Sequence, residues 1–175
     1  MDSGHTPAGE HTAWIGLGAN LGDARSALIG AVQRIAALSS TTVARVSSLY
    51  GSAPVDAGGP DYLNAVAEIR TALSPLELLA ALQRIELDAG RERPYRNAPR
   101  TLDLDIVRYG DLSMNTDRLT LPHPRWSERA FVVLPMVELL GGDVLDRLSP
   151  EQKQAVTQQR IERLVDAADW MPAGG

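Results

Sequence analysis

Thr101-Leu102-Asp103-Leu104-Asp105-Ile106-Val107 alternates acidic and apolar residues with a period of two. Side chains two apart on a strand point the same way, so Asp103 and Asp105 share one face with their Cα atoms about 6.6 Å apart. Leu102, Leu104 and Ile106 take the opposite face and can enter a core. Two carboxylates side by side repel, and burying either without a partner is costly. A hard divalent cation such as Mg²⁺, which prefers oxygen ligands, is the simplest resolution.

The chain around this strand has 175 residues, 44% hydrophobic and 22% charged, which suits one folded domain. Its formal charge of −5 gives no support for a nucleic-acid footprint. With no cysteine, disulfides, thiolate catalysis and cysteine–zinc sites are excluded. No apolar run is long enough to cross a bilayer. The polar start lacks the basic and apolar stretches of a signal peptide, so a cytoplasmic, membrane-free protein is expected. We expect a flexible extension over 1–11, a single domain over 12–168 and a tail over 169–175, the last including Trp170.

Upstream, Ala13–Gly18 reads as a short strand entering a Gly-rich turn. Asp23 can cap a helix with Leu28, Val32, Ile35 and Leu38 inward and Ala27 and Ala31 in close contact. Val43–Tyr50 reads as a strand, Gly51–Asp61 as a loop and Tyr62–Ile69 as another strand. Ser74-Pro75 with Glu77 three residues after the serine is a capping box. It opens a helix with Leu76, Leu79, Leu82 and Ile85 on its apolar stripe, stopping at Gly90. Beyond the acidic strand, Leu119–Leu121 predicts a short strand and Glu128–Leu140 a helix interrupted at Pro135. A last amphipathic helix is expected over Pro150–Ala167, with Ile161 and Val165 inward. The order strand-helix-strand-strand-helix-strand is a split βαβ unit. The fold class is therefore α+β, a ferredoxin-like core with a mainly antiparallel sheet and additional C-terminal elements. Helices should cover one sheet face and leave the other, with Asp103 and Asp105, to loops and ligands.

Several motifs bear on chemistry. Gly16-Leu-Gly18-Ala-Asn-Leu-Gly22 has the spacing GxGxxxG rather than GxGxxG, and no βαβαβ pattern follows, so turn formation and close backbone packing explain it better than a dinucleotide site. No Walker lysine is present, and Lys153 is the only lysine. Arg91, Arg93, Arg96 and Arg100 precede the acidic strand, and Arg125 and Arg129 follow it. Guanidinium groups beside a carboxylate pair suit phosphoryl or pyrophosphoryl transfer, although solvated loops also collect arginine. His123 is framed by Pro122 and Pro124; it can donate to a phosphate or serve only its turn. Tyr62 and Asn64 share a strand face, and Phe131 is the only phenylalanine. A ring can stack on a flat heterocycle and an amide can read its edge, while core packing is the ordinary role of Phe131.

Pro99-Arg-Thr-Leu-Asp-Leu-Asp-Ile106, Leu121-Pro-His-Pro124, Pro60-Asp-Tyr-Leu-Asn-Ala65, Gln83-Arg-Ile-Glu86, Glu128-Arg-Ala-Phe131 and the opening Gly16–Gly22 resemble the 6-hydroxymethyl-7,8-dihydropterin pyrophosphokinase family of folate biosynthesis. The resemblance spans Trp14 to Leu140 in family order. It implies ATP-dependent transfer of a pyrophosphoryl group to the pterin hydroxymethyl oxygen, with ATP as cosubstrate and two Mg²⁺ ions held by Asp103 and Asp105. It implies Arg91 and Arg100 as catalytic arginines. Glu86, Arg100, His123 and Arg129 are then implied at ATP. Tyr62 and Phe131 would sandwich the pterin, with Asn64 and the turn Ser52, Ala53, Pro54 and Val55 at its polar edge. A monomer acting on these two small molecules is expected. The chain departs from the family pattern in a shorter arginine loop, in Asn97 where many members carry tryptophan, and in Ala53 where proline is frequent. A regulatory protein on the same scaffold and a monophosphate-transferring kinase are the alternatives of other classes.

Overall fold

The computed structural model describes residues 10–19, 24–52, 62–90, 102–159, 161–165 and 170. Asp23, Ala53, Pro54, Val55, Asn97, and Arg91, Arg93, Arg96 and Arg100 lie outside these residues, as do 1–9 and 171–175.

Strand β1 (His11–Ala19) contains the expected Ala13–Gly18, including both glycines; residues 20–22 of the expected turn lie outside the described residues. The strand's odd-numbered residues Ala13, Ile15, Leu17 and Ala19 are buried, as period-two alternation requires. Of the opposite-facing residues Thr12, Trp14, Gly16 and Gly18, the two glycines lie close to the neighbouring strands' side chains. A Cβ on Gly16 would lie 3.3 Å from Val107 Cγ2, and one on Gly18 would lie 3.4 Å from Asn64 Oδ1.

Helices α1 (Ala24–Ala36) and α2 (Pro75–Gly90) cover the first sheet face. Leu28, Ala31, Val32 and Ile35 form the buried stripe of α1, as predicted. On α2 the fully buried residue is Leu78, followed by Leu82 and Ile85; Leu76 and Leu79 flank that stripe. The predicted capping box is present, with Glu77 N–H donating to Ser74 Oγ and Ser74 N–H to Glu77 Oε1.

The expected second strand is two pieces, β2 (Thr41–Val46) and β3 (Leu49–Ser52), separated by the buried Ser47 and Ser48. Both pair antiparallel with β4 (Tyr62–Thr71). The acidic strand is β5 (Asp103–Tyr109), paired antiparallel with β1. A bulge places Val107 and Arg108 opposite Trp14, so Ile106 and Tyr109, three apart, both stay in the core. The sheet order β5-β1-β4-β3, with β2 also on β4, is that of a ferredoxin-like fold. A small hairpin of β6 (Met114–Asn115) and β7 (Thr120–Leu121) follows.

The second face is only partly open. Helix α3 (Ala130–Leu140) lies across it, packing Val132, Met136 and Leu139 against Val66 and Val107. It passes through Pro135 without the expected interruption; the ring removes one helix hydrogen bond, while burial of Val133, Pro135 and Met136 holds the flanking turns in place. After α4 (Asp143–Asp146), helix α5 (Pro150–Gln158) starts on a second capping box at Ser149 and Gln152.

The C-terminal helix predicted to Ala167 stops at Gln158, and Ile161–Val165 is strand β8, paired antiparallel with β3. Trp170, expected in a tail, is 2% exposed, and its Nε1–H donates to the Ser47 carbonyl at 2.8 Å.

Candidate functional site

Strand register assembles the site. Tyr50 pairs with Asn64, Asn64 with Gly18 and Gly18 with Asp103, forming one row across β3, β4, β1 and β5. The next row runs Val66–Gly16–Asp105. Directly opposed residues share a face, so Asn64 and both aspartates project to the same side, with Asn64 and Asp103 two strand spacings, roughly 10 Å, apart. Gly18 lies between them with no side chain. Asn64 is buried, whereas Asp103 and Asp105 are exposed.

The acidic strand is held along its outer edge. Glu86, from α2, accepts the Leu104 N–H at 2.7 Å, between the two aspartates. Farther along, His123 N–H donates to the Val107 carbonyl at 2.8 Å, which pins the Pro122-His123-Pro124 segment two residues from Asp105. The His123 Nδ1 accepts the Arg125 N–H at 3.1 Å, so the neutral ring carries its proton on Nε2, where it is a donor. Burial pushes the His123 pKa down; the Asp105 carboxylate opposes this, and Arg129 and Arg125 reinforce it.

Arg129 stands just before α3 and Phe131 in its first turn. The guanidinium lies 5.6 Å from the Phe131 ring centroid. Phe131 is half-buried against the cluster of Val66, Val107 and Met136, so one aromatic element and one cation adjoin the face that carries Asn64. The backbones of Ser52 and Tyr62 pair with one another two residues from the Asn64 row. Arg91, Arg100, Ala53, Pro54 and Val55 fall outside the described residues.

The structure thus brings together Asn64, Asp103, Asp105, Glu86 and His123, with Arg129 and Phe131 at the adjoining helix. Sequence reasoning missed Gly18 as the floor between amide and carboxylate. Its signal was the alternation Gly16-x-Gly18 within a strand, matching Asp103-x-Asp105 across the ladder. Among the described residues no three His, Cys, Asp or Glu side chains cluster closely enough to enclose a metal. Two exposed carboxylates are instead a partial, all-oxygen donor set. That fits Mg²⁺, which keeps several waters and shares itself with substrate phosphates.

Fold and site together define a ferredoxin-like α+β protein that presents a carboxylate pair and a buried amide on one sheet face. Residues 14–141 match the family model described as 7,8-dihydro-6-hydroxymethylpterin-pyrophosphokinase, and the chain belongs to that family. A Haemophilus influenzae relative named 2-amino-4-hydroxy-6-hydroxymethyldihydropteridine pyrophosphokinase is 47% identical over 77% of this chain and 84% of its own length. Relatives with the same name from Synechocystis, 39% identical over 94% of this chain and 82% of theirs, and Pseudomonas aeruginosa, 41% identical over 88% and 97%, also match. The structure of wild-type Plasmodium falciparum HPPK-DHPS with pteroate superposes with a TM-score of 0.59 at 12% identity, covering 85% of this chain and 45% of that one. It carries the same fold.

Proposed function

We infer that this chain transfers the β,γ-pyrophosphoryl group of ATP to the hydroxymethyl oxygen of 6-hydroxymethyl-7,8-dihydropterin. The observation that carries the reading is the row Asn64–Gly18–Asp103, which sets an amide and the carboxylate pair on one face of a chain of this family. Asn64 reads the polar edge of the pterin, aided by backbone groups of Ser52, Ala53, Pro54 and Val55, while Tyr62 and Phe131 stack on its rings. Asp103 and Asp105 would hold two Mg²⁺ ions, which when bound would neutralise triphosphate charge and make the substrate hydroxyl more acidic.

The protein's own groups supply the rest. Arg91, Arg100 and Arg129 fix phosphate oxygens, and the Nε2–H of neutral His123 donates to one of them. The alcohol oxygen bonds to the β-phosphorus as the bridge to the α-phosphate breaks; the electron pair leaves on AMP, and the alcohol proton goes to solvent. No protein nucleophile is needed. Groups already fixed where charge develops favour the transition state over the free reactants. Glu86 holds the acidic strand from its edge and sits close to the nucleotide. We propose that the reaction runs in the cytoplasm and in a monomer.

Mass analysis of the products decides the reading. Purified protein with ATP, Mg²⁺ and the hydroxymethyl-dihydropterin should give AMP and the pterin diphosphate. ADP with a pterin monophosphate, or an unchanged pterin, would overturn it.

A further inference from the structure

Glu138 lies outside the set of residues that sequence and family resemblance assign to the site, yet it makes the densest polar junction between α3 and the sheet. Its Oε1 accepts the Ser48 N–H at 2.9 Å and the Tyr50 hydroxyl at 2.8 Å, and its Oε2 accepts the Ser48 hydroxyl at 2.8 Å. Ser48 is 0% exposed and Tyr50 6%. The break between β2 and β3 is what makes this possible. Ser47 N–H still reaches the Val66 carbonyl, whereas Ser48 turns its N–H to α3.

Two facts connect this junction to the site. Tyr50 begins the row that continues through Asn64 and Gly18 to Asp103. Glu138 also follows Phe131 by seven residues on the same helix, and seven residues are nearly two full turns, so both project from the same side of α3. The pterin pocket of the proposed function is walled by Asn64 on β4 and Phe131 on α3. No strand register relates these two walls; their separation depends on how the helix seats on the sheet. Apolar packing of Val132, Met136 and Leu139 holds the helix down but is non-directional. The three hydrogen bonds of Glu138 are directional and fix its register.

We propose that Glu138 is a positioning residue for pterin recognition, setting the distance between Phe131 and Asn64 by locking α3 to Ser48 and Tyr50. On the phosphate side only Arg129 rides on α3, whereas His123 and Glu86 are anchored separately, through His123 N–H on the Val107 carbonyl and Glu86 on the Leu104 N–H. Loss of the Glu138 junction should therefore weaken pterin binding far more than ATP binding. The inference rests on the proposed pterin transfer.

Steady-state kinetics on the full chain test it, with ATP and the hydroxymethyl-dihydropterin varied in turn. Glu138→Ala should raise the pterin KM about tenfold, with the ATP KM within about twofold and kcat within about threefold of wild type. Glu138→Gln keeps an acceptor oxygen for Ser48 N–H and should restore most of the loss. Tyr50→Phe removes one of the three bonds and should raise the pterin KM about threefold, which decides the matter if the alanine variant does not fold. Equal rises in both KM values, or an unchanged pterin KM in folded Glu138→Ala or Tyr50→Phe, would overturn the proposal alone. A wild-type protein that leaves the pterin unchanged would overturn the proposed transfer and this inference with it.

Discussion

Gly18 shows how much one missing methyl group can matter. It sits between Asn64 and Asp103, and a Cβ there already meets Asn64 Oδ1 at 3.4 Å. Valine suits a strand, so Gly18→Val should fold while its branches fill the gap between amide and carboxylate. We expect kcat/KM for the pterin to fall at least about tenfold with little change in melting temperature; near-normal turnover would show that no substrate crosses this glycine. At the far end of this row and of the next, Asp103→Asn and Asp105→Asn remove charge from exposed positions with no core to disturb. Each should lower kcat by about 100-fold or more at unchanged thermal stability, because charge neutralisation at the phosphates is worth several kcal/mol. Turnover within a few-fold of wild type in both would remove the proposed metal role. The acidic pair, Asn64 and His123 were legible in the sequence because residue type and local spacing declare them. Gly18 was not, since a glycine reads alike as a turn residue or as a close-packed strand residue until the neighbouring strand is known.

At the level of elements, α2 and β5 work as a unit. Helix α2 starts on the Ser74–Glu77 box, and the hydrogen bonds from Ser74 hold the Glu77 carboxyl below its ordinary value of 4.5. A carboxyl whose folded pKa is depressed contributes stability that is present above its unfolded value and lost as pH falls through the folded one. Acid titration of unfolding should therefore show wild type more stable than Glu77→Gln near neutrality, with the gap closing below the unfolded pKa of Glu77. A gap independent of pH would remove the ionised cap. Twelve residues after Ser74, the same helix places Glu86 on the Leu104 N–H. Glu86→Ala leaves that edge N–H to water and should cost about 1 kcal/mol in urea unfolding, together with a higher ATP KM. Both elements were legible because their periodicity and caps are local. Strand β8 was not. Ile161 and Val165 are four apart, a spacing that fits a helical turn and, being even, one face of a strand as well. Only the unpaired edge of β3, a nonlocal fact, selects the strand.

Across the whole molecule, the Ser47–Ser48 break is where the two faces of the sheet meet the C-terminal end of the fold. Ser48 N–H is held by α3 from the second face, while the Ser47 carbonyl is held by the indole of Trp170, which belongs to the main core with Leu49 and Ile69. Strand β8 and Trp170 thus close the sheet edge beside the row that carries Asn64, and the fold is completed by residues far beyond the acidic strand. Nothing near position 170 announces this. A lone tryptophan beside Met171 and Pro172 has no periodic partner, and its place is set by a carbonyl 123 residues earlier in the chain. Trp170→Ala should remove a buried aromatic and its hydrogen bond together, at a cost of roughly 3–5 kcal/mol. Trp170→Phe retains most of the volume but strands the Ser47 carbonyl, so its cost should be smaller, about 1–3 kcal/mol. Urea unfolding of the three proteins would order them wild type, phenylalanine, alanine. An alanine variant within about 0.5 kcal/mol of wild type would place the indole outside the core.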